Sequence, residues 1–378
     1  MSDTMQPARR IVITWVLSPL LAALAACSHK PPADYAPDPG LLSHIRDIEI
    51  TVSPTVVCPG GVIQASYQAV IDDGTRVPFI RSYDKKNPPR LHSSFLGYTS
   101  AEASGTKDGN WVTAQDPVVS AMNGFRLTAT LKSKPSIQHS VIVAPDYSCM
   151  PHAFAFSGPG GGAMQGGGNG PEVAVHLAMG HSRFFEKLLV VGIDVGTAAP
   201  FYLLFDARAI PPADWLTIES RGGRGGAGGP GTRGRDGRPG ASGCPAQAGG
   251  PGGDGGDGAP GAPGGRGGRI TIVVPAEQPF LAGLVNVRAP GGPGGPGGVP
   301  GSGGDGGKGG QGVMGADNKR CADAADGVAG RKGEPGPIGR DGPRGPRHDI
   351  YTVPAQEVFG PALPPDLAAL IAESRGRQ

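Results

Sequence analysis

From Gly222 to Arg347 glycine returns on nearly every third residue. Gly222, Gly225, Gly228, Gly231, Gly234, Gly237, Gly240 and Gly243 open consecutive triplets. Ala246 interrupts the pattern without shifting its frame, and Gly249 to Gly267 continue it. After an apolar insert, Gly291 to Gly315 keep one frame, with Pro300 as the break, and Gly327 to Gly345 supply the last run. A three-residue glycine period fits an extended helix with three residues per turn, because one edge of each helix then carries no side chain and a second backbone can approach. The four runs meet in pairs at Cys244 and at Cys321. They therefore read as two hairpins, each tipped by a cysteine. Runs of 21–26 residues would span roughly 65–80 Å at about 3.1 Å per residue.

Two assemblies use this geometry: a collagen triple helix of three chains, and a polyglycine-II bundle folded from one chain. Doubled glycines, as in "GGRGGAGGP", "GGPGGDGGD" and "GGDGGKGGQ", favour the bundle. Collagen needs one glycine per triplet, and a second costs about 0.5–1 kcal/mol of chain entropy without benefit there. In a bundle it opens a second contact edge. Such arrays resemble the glycine-rich antifreeze protein of snow fleas and the glycine-rich tips of phage tail adhesins. The fourth run, "GRKGEPGPIGRDGPRGPR", resembles bacterial collagen, as an outer row with one inward edge or as the seed of a trimer.

The flanks repeat. "GGRGGRITIVVPAE" at 264–277 is echoed by "GPRGPRHDIYTVPAQE" at 342–357, and "WLTIESRGGRGGAGGPG" at 215–231 by "GLVNVRAPGGPGGPGG" at 283–298. This is an internal duplication of strand, glycine run, cysteine tip, glycine run and strand. Further apolar or alternating stretches at 152–156, 173–179, 187–193 and 201–205 complete eight expected strands, a small β-sandwich that anchors the arms. Between the first two lies a stunted glycine loop, "SGPGGGAMQGGGNG".

From about Ile45 to Cys149 the chain alternates as short strands, with Asp72-Asp73-Gly74 as a turn. "ITVSPTVVCPGG", the later "DGT" and "GFRLTATL…SVIVAP" resemble bacterial Ig-like domains, which implies a spacer. Trp111 is late for the tryptophan of antibody-type domains and is expected at the surface or an edge.

The N-terminus reads as a targeting segment: Arg9 and Arg10, then an apolar stretch from Ile11 to Ala26, short for a membrane span of about 20 residues. Leu24-Ala25-Ala26-Cys27 resembles the bacterial lipobox. The resemblance implies cleavage before Cys27, lipidation (palmitate) of that residue and, with Ser28 following, sorting to the outer membrane. Four cysteines remain, an even number in an oxidising compartment. Of the three pairings, Cys58–Cys149 and Cys244–Cys321 are favoured, the first bracketing a domain and the second joining the hairpin tips. The expected division is a signal peptide at 1–26, a Pro-rich tether at 27–43, an Ig-like domain at 44–150 and a β-base at 151–220. Glycine hairpins follow at 221–347, with intervening strands at 270–289, and then a last strand and short helix at 348–378.

With 67 glycines, 6% aromatics and a net charge of +2, no nucleic-acid partner is expected. No nucleophile–base set, metal motif or cofactor loop assembles. GxGxxG matches are a by-product of composition, and His176 and His181 lie five apart around a strand, on opposite faces. The expectation is a non-enzymatic, lipid-anchored outer-membrane protein of all-β class, monomeric rather than trimeric, with a structural or adhesive role. Its partner would be a cell-surface protein or glycan. Arg224, Arg235, Asp254, Asp257, Arg266, Asp305 and Lys308 are the surface-binding candidates. A collagen-like trimeric fibre and a carbohydrate- or ice-binding module are the alternatives.

Overall fold

The computed structural model describes residues 31–375 except 107–108 and 197–198. Leu24, Ala25, Ala26 and Cys27 lie outside the described residues. The chain is mostly β-sheet, in several sheets.

The segment expected to be an extended tether is partly docked. Asp38 caps α1 (Pro39–His44), accepting from Gly40 N at 2.9 Å. Leu41 is buried in the first core, and the Tyr35 ring stacks on Phe95 at 5.4 Å. An apolar turn and an aromatic ring find cover there, which a free tether would deny them.

Nine strands follow: β1 (Ile45–Ser53), β2 (Val56–Val57), β3 (Val62–Ile71), β4 (Arg76–Pro78), β5 (Leu96–Thr99), β6 (Ala103–Gly105), β7 (Trp111–Thr113), β8 (Phe125–Leu131) and β9 (Gln138–Pro145). One sheet runs β1-β3-β7-β6 with β4 on β3, and the other β2-β9-β8-β5. Alternation puts Phe125, Leu127, Ala129 and Leu131 of β8 inside. Trp111 is not at the surface. It is 2% exposed, its Nε1 donates to Tyr67 Oη at 2.8 Å, and Tyr98 meets it edge-on. Pairing of Trp111 with Ile63, a core residue of β3, turns the indole inward. Cys58 and Cys149 form a disulfide.

The next eight strands build two layers. β10 (Ala153–Ser157), β14 (Leu216–Arg221) and β16 (Val285–Arg288) make an all-parallel sheet. The second sheet has the order β13-β12-β11-β15-β17. It comprises β11 (Val173–Gly180), β12 (Leu188–Asp194), β13 (Phe201–Asp206), β15 (Ile270–Pro275) and β17 (Asp349–Val353). In it β11, β15 and β17 are parallel. The duplicated flanks are thus neighbours: β14 beside β16 and β15 beside β17. Val175, Leu177, Ile193 and Ile272 of one layer pack on Leu216, Ile218 and Val285 of the other. α2 (Pro365–Arg375) lays Leu367, Leu370 and Ile371 on the outer face of the larger sheet, where Val118, Ala121 and Tyr147 of the first unit join the same core. The first unit and the base therefore share an apolar seam.

Every glycine segment leaves from the three-stranded layer and returns to the five-stranded one. β10 leads to a short arm that goes out at 158–162 and back at 165–170 into β11. β14 leads to the first run (222–243), and the second (246–268) enters β15; β16 leads to the third (290–312), and the fourth (322–345) enters β17. Parallel neighbours in a layer stay bonded beyond the strands. Gly222, Gly225 and Gly228 donate to Pro290, Pro293 and Pro296, and Gly252, Gly255 and Gly258 to Val328, Arg331 and Glu334. The layers also bond to each other. Gly250 and Gly253 donate to Arg238 and Arg235, Gly304 and Gly307 to Gly253 and Gly250, and Gly327 and Gly330 to Gly307 and Gly304. Each segment thus bonds to the next in sequence, antiparallel across the layers, and to the next but one, parallel within a layer. Cys244 and Cys321 are joined at the far end.

Candidate functional site

The glycine content of each run follows its neighbours. In the first run a Cβ on Gly223 or Gly226 would overlap a carbonyl of the short arm, Pro159 or Gly162. Where the arm has ended, the same triplet position holds Thr232, Arg235 and Arg238. The third run is flanked by the first, second and fourth, and its doubled glycines need both edges bare: a Cβ on Gly303 would overlap Gly330 O, and one on Gly304 would overlap Arg235 O. The fourth run is outermost and carries one glycine per triplet.

The surface that remains is made of triplet side chains, and four of the seven expected binding residues are occupied with the bundle itself. Asp254 Oδ1 accepts from Arg331 N and Asp257 Oδ1 from Glu334 N, each at 2.7 Å. Asp305 Oδ2 accepts from Arg233 Nη2 at 3.0 Å, while its own backbone N–H goes to Asp236. Lys308 Nζ meets Asp326 Oδ2 at 2.9 Å, and Asp326 Oδ1 also accepts from Gly309 N. The hydrogen bonds from Gly309 and Lys308 hold the Asp326 carboxyl below its ordinary range, and the Asp326 partner raises the Lys308 ammonium. Asp254, Asp257 and Asp326 cap outward-facing N–H groups of a neighbouring run, which the glycine lattice leaves without a backbone acceptor. Spacing along one run does not reveal this, because the partners lie up to 77 residues apart. Arg224, Arg235 and Arg266 are exposed and meet no carboxylate among the described residues.

A second feature lies in the base, at the end of the sandwich opposite the arms. It is a cleft of about 750 Å³ between the end of β11 and the 3-10 turn Pro279–Leu284. The buried Leu281 and Leu284 floor it, and Phe280, 67% exposed, lines it together with Pro211 and Pro212. Polar groups ring it: His181, Glu186, Lys187, Glu277 and Gln278. Met179 N donates to Gln278 Oε1 at 3.3 Å, and His181 Nδ1 lies 3.1 Å from Glu186 O. Sequence reasoning missed this site. Its one signal was an aromatic, Phe280, set in a Gln-Pro-Phe turn between two repeat strands. His176, by contrast, is turned toward Val358 O and is not in the cleft.

Among the described residues no cluster of three or more His, Cys, Asp or Glu side chains is arranged to hold a metal ion, and no helix is long and apolar enough to cross a membrane. The chain matches no protein-family model, no curated protein and no solved structure.

Proposed function

We propose that this chain is a non-enzymatic, lipid-anchored protein of the bacterial outer membrane. In this reading an Ig-like spacer and a β-base carry a stiff polyglycine-II rod. The observation that carries it is the bonding ladder, in which each glycine run is tied to both the next and the next-but-one segment of the same chain. Such cross-ties resist bending without a side-chain core. They also use the triplet glycine N–H groups internally, which supports a monomer over a collagen-like trimer. Self-pairing of Asp254, Asp257, Asp305 and Lys308 favours a structural role for the rod over adhesion through those side chains. The anchor rests on Leu24-Ala25-Ala26-Cys27, and two or more acyl chains give stable attachment where one does not.

Expression of the full chain in a Gram-negative host with an alkyne-tagged palmitate tests the reading. Label on the wild type, none on Cys27→Ala, co-fractionation with outer membrane and a monomeric mass in detergent are expected. An unlabelled wild type overturns the anchor, and a trimeric mass overturns the single-chain rod.

A further inference from the structure

The rod's aspartates are spent on the rod itself, whereas the cleft in the base keeps unspent donors and acceptors around an apolar floor. Its volume of about 750 Å³ lies in the roughly 300–1,000 Å³ range of small-ligand sites. Gln278 has its carboxamide oxygen engaged by Met179 N, which fixes the amide and leaves its NH₂ group unused among the described residues. His181 spends Nδ1 on Glu186 O and its backbone N–H on Leu370 O, leaving Nε2. Glu186 is neutralised by Arg208 at 3.0 Å. Lys187 and Glu277 meet no ion partner among the described residues, and they stand just outside the ends of β12 and β15, the strands that flank β11 on either side. Their charges cancel, so the rim has no net sign.

We propose that this cleft binds a neutral sugar ring of a surface glycan. A purely apolar ligand would bury Gln278, His181 and the Lys187 and Glu277 heads without partners, at a cost for each unmet group. An anionic polymer would find no net positive charge on this rim to hold it. A neutral pyranose both donates and accepts, which suits a mixed set of amide, imidazole, ammonium and carboxylate. Its C–H face also suits the exposed Phe280 ring, whose electron-rich face attracts partly positive hydrogens. The proposal names the ligand class of a protein with an adhesive role but does not depend on the membrane anchor.

The test is a glycan array probed with the purified full chain in detergent, carrying neutral, sialylated and phosphorylated glycans. Affinity of the hits is then measured for Phe280→Ala, Gln278→Leu and the rod variant Arg235→Ala. Phe280 is mostly exposed, so its removal leaves the fold intact, which a thermal melt checks. Expected are hits confined to neutral glycans, weakened tenfold or more by Phe280→Ala and by Gln278→Leu and unchanged by Arg235→Ala. No hits, hits confined to anionic glycans, or neutral hits indifferent to Phe280→Ala each overturn the proposal. Palmitate labelling and membrane fractionation are read separately, so loss of the anchor reading would leave this result standing.

Discussion

The base and the glycine rod are the same two layers with different interiors. The strand order β10-β14-β16 becomes short arm, first run, third run; β11-β15-β17 becomes returning arm, second run, fourth run. In the base, side chains such as Leu177, Ile218 and Ile272 keep the sheets apart and exclude water, and packed sheets stand about 10 Å from each other. In the rod the side chains are gone from the interface and backbone N–H groups cross it directly. The change happens at one level. Ser220, fully buried, donates through Oγ to Pro171 O at 2.6 Å, and a Cβ on Gly268 would overlap both groups. Hydrophobic burial is non-directional and tolerates small shifts, whereas a hydrogen-bond ladder works in one register only. The base therefore sets the register that the rod propagates.

If that division holds, the base is where a single truncation does most damage. Ile272→Ala removes a fully buried side chain between the layers and is expected to cost about 4 kcal/mol, in the range for Ile or Leu to Ala in cores. Chemical denaturation followed by the half-buried Trp215 of the base and by the rod amides should show both regions lost together. A rod that stays protected after the base has melted breaks the comparison. Next in size is the staple at the far end. Replacing Cys244 and Cys321 by serine opens a link between residues 77 apart and is expected to cost about 3 kcal/mol, within the range typical of disulfides. Hydrogen exchange should place the added opening in the last triplets near Gly243 and Gly312, with the base unchanged.

The two regions were unequally legible in the sequence. The triplet frame, the hairpin tips and the flanking echoes point directly to paired runs on a shared base, because glycine at a close approach has no substitute. The burial of Trp111 was not legible, since it depends on which strand is β7's neighbour, and short three-residue strands carry no periodicity; the docking of Leu41 was not, because its core is assembled from strands far along the chain. Asp254 and Asp257 look like solvated surface acids for a similar reason. Their caps lie on the fourth run, and only the folded register brings them together. The cleft escaped because its polar residues come from three separate strand ends.

Two glycines of the rod sharpen the comparison further. Gly304→Ala would drive a Cβ into Arg235 O, an overpacked contact expected to cost about 2 kcal/mol. Gly253→Ala would place its Cβ 3.2 Å from Arg235 N, in the slot that Ala259 and Ala262 already fill on the same edge, donating to Gly229 and Gly226. There the loss of unfolded-chain freedom offsets the crowding, and a thermal melt should not move by more than about a degree or two. Equal effects at the two sites would mean that glycine serves the rod through flexibility and not through approach.

The smallest effect separates the rod's bonding from its charge. Asp326 has its carboxyl lowered by Gly309 N–H and by Lys308, so the stabilisation it gives is present above the unfolded carboxylate range and is lost as pH falls through the folded value. Lys308, raised by the same contact, acts in the opposite sense, and its share is present below the unfolded lysine range and lost as pH rises through the folded one. Exchange of the Gly309 amide, corrected for intrinsic rate, should therefore be slowest between these limits and speed up in acid. Asp326→Asn keeps an acceptor for Gly309 but removes the carboxylate that faces Lys308. It should flatten the acid limb while leaving the amides of the base unaltered. An acid limb that persists in Asp326→Asn would show that the rod's pH response arises elsewhere, and that its outward aspartates do not hold adjacent runs together.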